Sequence, residues 1–291
     1  MFLFILQLLV CNYIAIKQLI SSYLLDILSI YTLEGKFHST QTGKFPLYQG
    51  RDDRRILYIS GVALQLSKSH NQTPEEIASG IVSHLSRQRA DVVSVEMVPP
   101  GWIYLQLTDG FLATWLQSLL VTKVQEDGNM SISKISKLNS SRLFTIQYAH
   151  ARCYSLLLLA HREGLIQLTN ICDDAQPSFA SLTSAQQILW LNDEQKLRLI
   201  HPAEGRLLSR LVTVIDNLQS PDLNTRVNWE KLALDLSQAF ESFWCQCRIW
   251  GEVKISDPNL AQARLGLMIA TQSVLRSLLV SKLGAVAPVQ L

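Results

Sequence analysis

Apolar residues recur at helical spacing almost from the start of the chain: Leu19, Ile20, Leu24, Ile27 and Leu28 fall on one face of a helix that begins near Lys17. The sixteen residues before it, MFLFILQLLVCNYIAI, are apolar and uncharged. A membrane-spanning helix needs about 20 apolar residues, and a secretion signal wants a basic start and a small-residue cleavage site. Residues 1–16 offer neither, and Gln7 and Asn12 interrupt them, so they read as an apolar extension of the helix rather than a membrane contact. After a loop with Gly35, Gly43, Pro46 and Gly50, the spacing of Ile56, Ile59, Ala63 and Leu66 predicts a helix over Arg55 to Lys68. Thr73-Pro74-Glu75-Glu76 then places an N-cap, a proline at the first helical position and a glutamate three after the cap, opening a helix with Ile77, Ile81, Val82 and Leu85 as its buried stripe.

The period then changes from helical to alternating. Val93, Val95 and Met97 alternate with polar neighbours, Pro99-Pro100-Gly101 turns the chain, and Ile103, Leu105 and Leu107 alternate again, which predicts a β-hairpin. Asp109 opens a further helix to about Leu120. Residues 17–120 therefore read as a small α+β domain. Residues 121–141 are rich in Ser and Lys without a sustained period and read as a linker. From 142 to 291 the pattern is helical, with long apolar stripes over Phe144 to Glu163, Pro202 to Leu218, Trp229 to Cys247 and from Asp257 to Gly284, which makes an all-α bundle. Trp115, Trp190 and Trp229 are expected in the cores.

Composition narrows the function classes. With 26 Lys plus Arg against 24 Asp plus Glu the chain carries +2, and its two halves balance separately. A polycationic nucleic-acid binder is excluded, so any RNA contact must rest on local clusters and on stacking. The five cysteines are odd in number with no C-x-x-C pair, and the six histidines are scattered, so neither a disulfide framework nor a metal site is expected, and a reducing cytoplasm fits best. Cys245 and Cys247 lie two apart in a helical pattern and point in different directions.

Three strings in the second half carry a resemblance. Gln147-Tyr148-Ala149-His150-Ala151-Arg152 resembles the Q-Y-A-H-A-R that opens the anticodon-binding domain of arginyl-tRNA synthetases. His201-Pro202-Ala203-Glu204 with its leucine-rich helix, followed by Ala239-Phe240-Glu241-Ser242-Phe243-Trp244, resembles that family's A-F-x-x-F-Y region, and Leu260 to Leu267 is similar to the L-x-x-A-R-L-x-L helix of its DALR domain. In the first half, Val62 to Lys68 resembles the V-A-L-Q-L-A-K of the same enzymes' N-terminal additional domain, and Pro100-Gly101-Trp102-Ile103-Tyr104-Leu105 parallels its P-G-F-I-N-F. Tyr104 stands where the family has asparagine, so a polar base contact gives way to a stacking one.

In the family a catalytic core of several hundred residues separates these domains. This chain has about twenty linker residues there, with no H-x-G-H and no glycine-rich phosphate loop, and Lys134-Ile135-Ser136-Lys137 is only a chance echo of the family's second ATP signature. The resemblance therefore implies a non-catalytic paralogue with no catalytic residues and no cofactor. Its implied partner is tRNA, arginine tRNA first, and beyond it a synthetase or other translation protein. Trp102, Tyr104 and Gln106 are expected at the tRNA elbow, and Trp244 and Arg248 at the anticodon loop. Tyr148, His150 and Arg152 divide between packing and RNA contact, while Arg264 is expected in a structural ion pair. A scaffold that has lost RNA binding, and the non-catalytic subunit of a split arginine–tRNA ligase, are the alternative functions.

Overall fold

The computed structural model describes residues 14–33, 45–52, 54–68, 71–121, 139–169, 181–182, 186–219 and 227–291. Most of the apolar extension, most of the linker and its Lys134 to Lys137 string lie outside the described residues. The chain divides into two compact units, one of residues Ala15–Leu112 and one that holds Ala113–Leu291.

In the first unit, helix α1 (Ile16–Leu33) buries Ile20, Leu24 and Ile27 of the stripe its sequence period marks, together with Ile16 of the apolar extension, and leaves Leu19 and Leu28 half-buried. Four strands follow: β1 (Leu47–Gln49), β2 (Leu57–Ser60), β3 (Val93–Val98) and β4 (Trp102–Leu107), paired antiparallel in the order β1-β2-β4-β3. The helix expected over Arg55 to Lys68 is instead β2 followed by a five-residue helix α2 (Val62–Leu66). Ile56 and Ile59 satisfy a helical period, but Ile56, Tyr58 and Ser60 satisfy a strand period equally well, and all three are buried. Pairing with β4 decides between the two, because a central strand satisfies its backbone on both sides. Helix α3 (Pro74–Gln88) starts with the predicted capping box: Thr73 Oγ1 accepts from Glu76 N at 3.3 Å and Glu76 Oε2 accepts from Thr73 N at 2.9 Å. The β3–β4 hairpin turns at Gly101, whose φ of +130° and closeness to Pro74, 2.6 Å from where a Cβ would sit, exclude any side chain. Helix α3 packs on one face of the sheet, over Ile103, Leu105 and Leu107.

Helix α4 (Asp109–Val121) carries the chain from the first unit into the second. The second unit is a bundle of α5 (Ser140–Arg162), α6 (Pro202–Gln219), α7 (Trp229–Gln246) and α9 (Pro258–Ser277), with the short α8 (Glu252–Ser256) before α9 and a two-residue strand pair, β5 (Leu168–Thr169) with β6 (Ser181–Leu182). Helix α9 packs against α5, α6 and α7 and is buried on nearly every side, including the polar Thr271, Gln272 and Ser273. Pro258–Lys282 is long and apolar enough to cross a membrane, but 83% of its most apolar stretch is buried, as in the central helix of a bundle. Gly266 permits that close packing, since an added Cβ would lie 2.5 Å from Ile188 Cδ1 and 2.6 Å from Trp190 Cη2. The Trp190 indole is itself held by its Nε1–H, which donates to Gln117 Oε1 of α4 at 3.0 Å.

Candidate nucleic-acid interface

The helical motifs build a frame first. On α5, Ile146, Ala149, His150 and Cys153 face the core, whereas Tyr148 and Arg152 face outward. His150 is fully buried: its Nδ1 lies 2.8 Å from the Pro288 carbonyl and its Nε2 lies 3.0 Å from the Gln272 amide nitrogen. Burial pushes its pKa down to about 4, outweighing the Pro288 hydrogen bond, so the ring is neutral. Together with Gln147 Nε2, which donates to the Val286 carbonyl at 2.8 Å, it fastens the C-terminal segment to α5.

The other two motifs lock together. His201 caps α6: its backbone N donates to Glu204 Oε2 at 2.8 Å, its carbonyl accepts from Glu204 N at 2.9 Å, and its Nδ1 accepts from Ala203 N at 3.1 Å. The second Glu204 oxygen accepts from Arg264 Nε at 2.6 Å, with the carboxylate side chain 0% and the arginine side chain 11% exposed. Arg264 Nη1 also donates to the Arg248 carbonyl, which fixes the backbone just beyond α7. Cys247 Sγ lies 3.4 Å from His201 Nδ1, and burial, followed by the Glu204 charge, raises its pKa to about 12, which leaves it an inert thiol.

On that frame two of the predicted residues of the second unit, Arg152 and Trp244, are brought together. Phe144, exposed one turn before Tyr148 on α5, stacks on the tyrosine ring with centroids 6.3 Å apart. Arg152, one turn further, holds its guanidinium 5.3 Å from the Trp244 ring, so two residues ninety-two positions apart are brought into a cation–aromatic pair. Phe243 is fully buried and Trp244 turns outward, as expected of adjacent aromatics on one helix. Arg248 carries an exposed side chain. Trp250, which the sequence motifs do not single out, completes the group: its ring meets Trp244 edge-on at 5.8 Å and 77°. Its Nε1–H donates to Glu163 Oε2 at 3.1 Å, and Lys254 Nζ donates to the same oxygen at 2.7 Å. The Lys254 hydrogen bond is the main cause that holds the Glu163 carboxyl below the usual carboxylate range. The signal for Trp250 in the sequence is its place two residues beyond Arg248, four beyond the end of the helix that carries Trp244.

In the first unit, Trp102, Tyr104 and Gln106 alternate with buried Ile103 and Leu105 and so share the half-buried face of β4. Tyr48, Ile59, Tyr104 and Glu96 lie in register across the four strands, and Tyr48 is 61% exposed. The Trp102 ring lies over Gly61, where a Cβ would sit 3.0 Å from Cζ3. Gln106 Oε1 accepts from Arg55 Nη1 at 3.3 Å, which brings a cation to the edge of this aromatic row. Such a sheet face, rings with a basic side chain beside them, suits stacking of unpaired bases.

Among the described residues no three His, Cys, Asp or Glu side chains gather as a metal would require, and Cys245 is exposed while Cys247 is buried. Residues 15–107 match the arginyl tRNA synthetase N terminal domain, and residues 146–290 match the DALR anticodon binding domain, leaving 38 residues between the two. Arginine–tRNA ligase of Synechococcus sp. (strain JA-3-3Ab) is 34% identical over 149 residues, which cover 49% of this chain and 21% of that enzyme. The ligase of Moorella thermoacetica is 26% identical over 148 residues, 51% of this chain and 25% of that enzyme, and that of Staphylococcus carnosus is 31% identical over 128 residues, 43% and 22%. The chain thus matches about a fifth to a quarter of the length of these curated relatives. No solved structure matches it. With both of its matched domains drawn from one enzyme family, the chain is an arginyl-tRNA synthetase-like protein, an arginyl tRNA synthetase N terminal domain followed by a DALR anticodon binding domain.

Proposed function

We propose that this chain is a non-catalytic tRNA-binding protein, working in the cytoplasm, that keeps the two tRNA-contacting domains of an arginyl-tRNA synthetase without its chemistry. The observation that carries the reading is the Arg152 guanidinium set over the Trp244 ring on the outer face of the DALR domain, a platform that offers a base both a π-face and a positive charge. The 38 residues between the matched domains include α4 and the first turn and a half of α5, which leaves fewer than the roughly 30 residues of a βαβ unit with its phosphate loop, and neither an H-x-G-H nor a glycine-rich phosphate signature occurs in the chain. With a net charge of +2 the surface neutralises few phosphates, so stacking carries a large share of the affinity and the salt dependence is shallow, about two to four ions.

Two measurements on the purified full chain test this. Arginine-dependent exchange between ATP and pyrophosphate should stay at background with and without tRNA, and exchange above background would overturn the non-catalytic assignment. RNA recovered with the tagged chain from its own host should be enriched in tRNA. Recovery of protein partners without RNA would favour the scaffold function instead.

A further inference from the structure

Trp250 sits in a turn beyond α7, followed by Gly251 at φ +77°, where an indole has no helix to fix its rotamer. The carboxylate that fixes it comes from the far end of another helix: Glu163, at the C-terminus of α5, accepts the indole N–H. The ring is thereby held perpendicular to Trp244, whose own ring carries the Arg152 guanidinium. Guanidinium, indole and indole form one connected array of planes, and bases stack on both kinds of surface. Lys254 shares the Glu163 oxygen through an ion pair partly exposed on both sides, the kind of pair that holds weakly and yields its ammonium to a competing phosphate. A carboxylate placed beside an RNA site for no other reason would only repel the ligand.

We propose that Trp250 is a base-stacking residue of the RNA site and that Glu163 is its positioning residue, holding the indole while Lys254 turns to a phosphate. This rests on the tRNA-binding reading above. The test titrates the full-length chain and its variants against fluorophore-labelled unfractionated tRNA at low salt. Trp250→Ala should weaken binding roughly tenfold, within the range for loss of one stacked base. Glu163→Ala should weaken it by about threefold, part of that stacking contribution, whereas Glu163→Gln should stay near wild type because its amide oxygen still accepts the indole N–H. Trp250→Phe guards against misfolding: it should retain most of the affinity while the quenching of tryptophan emission by tRNA shrinks. If Glu163→Ala and Glu163→Gln both tighten binding equally, the carboxylate acts only as a charge and the positioning role is wrong. If wild type binds and Trp250→Ala binds as well, this inference fails while the tRNA-binding reading stands. Absence of binding by wild type would overturn that reading and this one with it.

Discussion

Replacing Arg264 by alanine breaks the buried ion pair that ties the two C-terminal motifs together, and its cost can be worked from the geometry. The guanidinium makes two charge-assisted hydrogen bonds, one to Glu204 and one to the Arg248 carbonyl, and Glu204 has no exposed surface through which water could replace the loss. Hydrogen bonds to charged groups contribute about 1.5–3 kcal/mol each, and removing one partner of a buried ion pair costs about 3–5 kcal/mol. Arg264→Ala should therefore lower unfolding stability by about 3–5 kcal/mol. Solvent screening gives little relief, since the arginine side chain is only 11% exposed. Arg264→Lys keeps the charge but lacks the fork that reaches both acceptors, so it should fall between alanine and wild type. Urea unfolding followed by circular dichroism, with the slope held constant across variants, reads these differences. In a double-mutant cycle with Glu204→Ala the two losses should be strongly non-additive, because the second substitution removes a charge that the first has already orphaned. A loss below about 1 kcal/mol for Arg264→Ala, additive with Glu204→Ala, would refute the ion pair's structural role.

Other expected outcomes follow from single contacts. His150 has a folded pKa of about 4 against an ordinary value of 6.5, so the unfolded chain takes up its proton first. The stability it contributes is present above pH 6.5 and is lost as pH falls towards 4, by at most about 3 kcal/mol, and His150→Gln should flatten that part of the stability–pH curve. Gly266→Ala, set against the Trp190 ring, should lower the melting temperature despite the better helix propensity of alanine, whereas Gly110→Ala, whose Cβ would meet nothing within 4 Å, should not. Among Cys153, Cys245 and Cys247, iodoacetamide on the native chain should label Cys245 alone by peptide mass spectrometry, since the other two are buried with raised pKa values.

Local chemistry was legible in the sequence, and long-range pairing was not. The Thr73 capping box, the outward turn of Trp244 beside Phe243 and the structural role of Arg264 each follow from residue type and helical spacing. The β2 strand escaped because its apolar residues fit two periods and only the partner strand chooses between them. Trp250 escaped because its importance comes from Glu163, eighty-seven residues away. Trp115 and Trp190 are buried as expected, but Trp229 is half-buried with Lys282 5.1 Å from its ring, a contact that depends on where the last helix ends.

The most direct test of tRNA binding is one titration series: labelled unfractionated tRNA against wild type and Trp244→Ala at low salt, with the melting temperature of each recorded. Binding by wild type, weakened by roughly 1–3 kcal/mol in Trp244→Ala with the fold intact, is the result expected if the indole stacks on an unpaired base. No detectable binding by wild type, or a Trp244→Ala variant that binds equally well and only melts earlier, would contradict it.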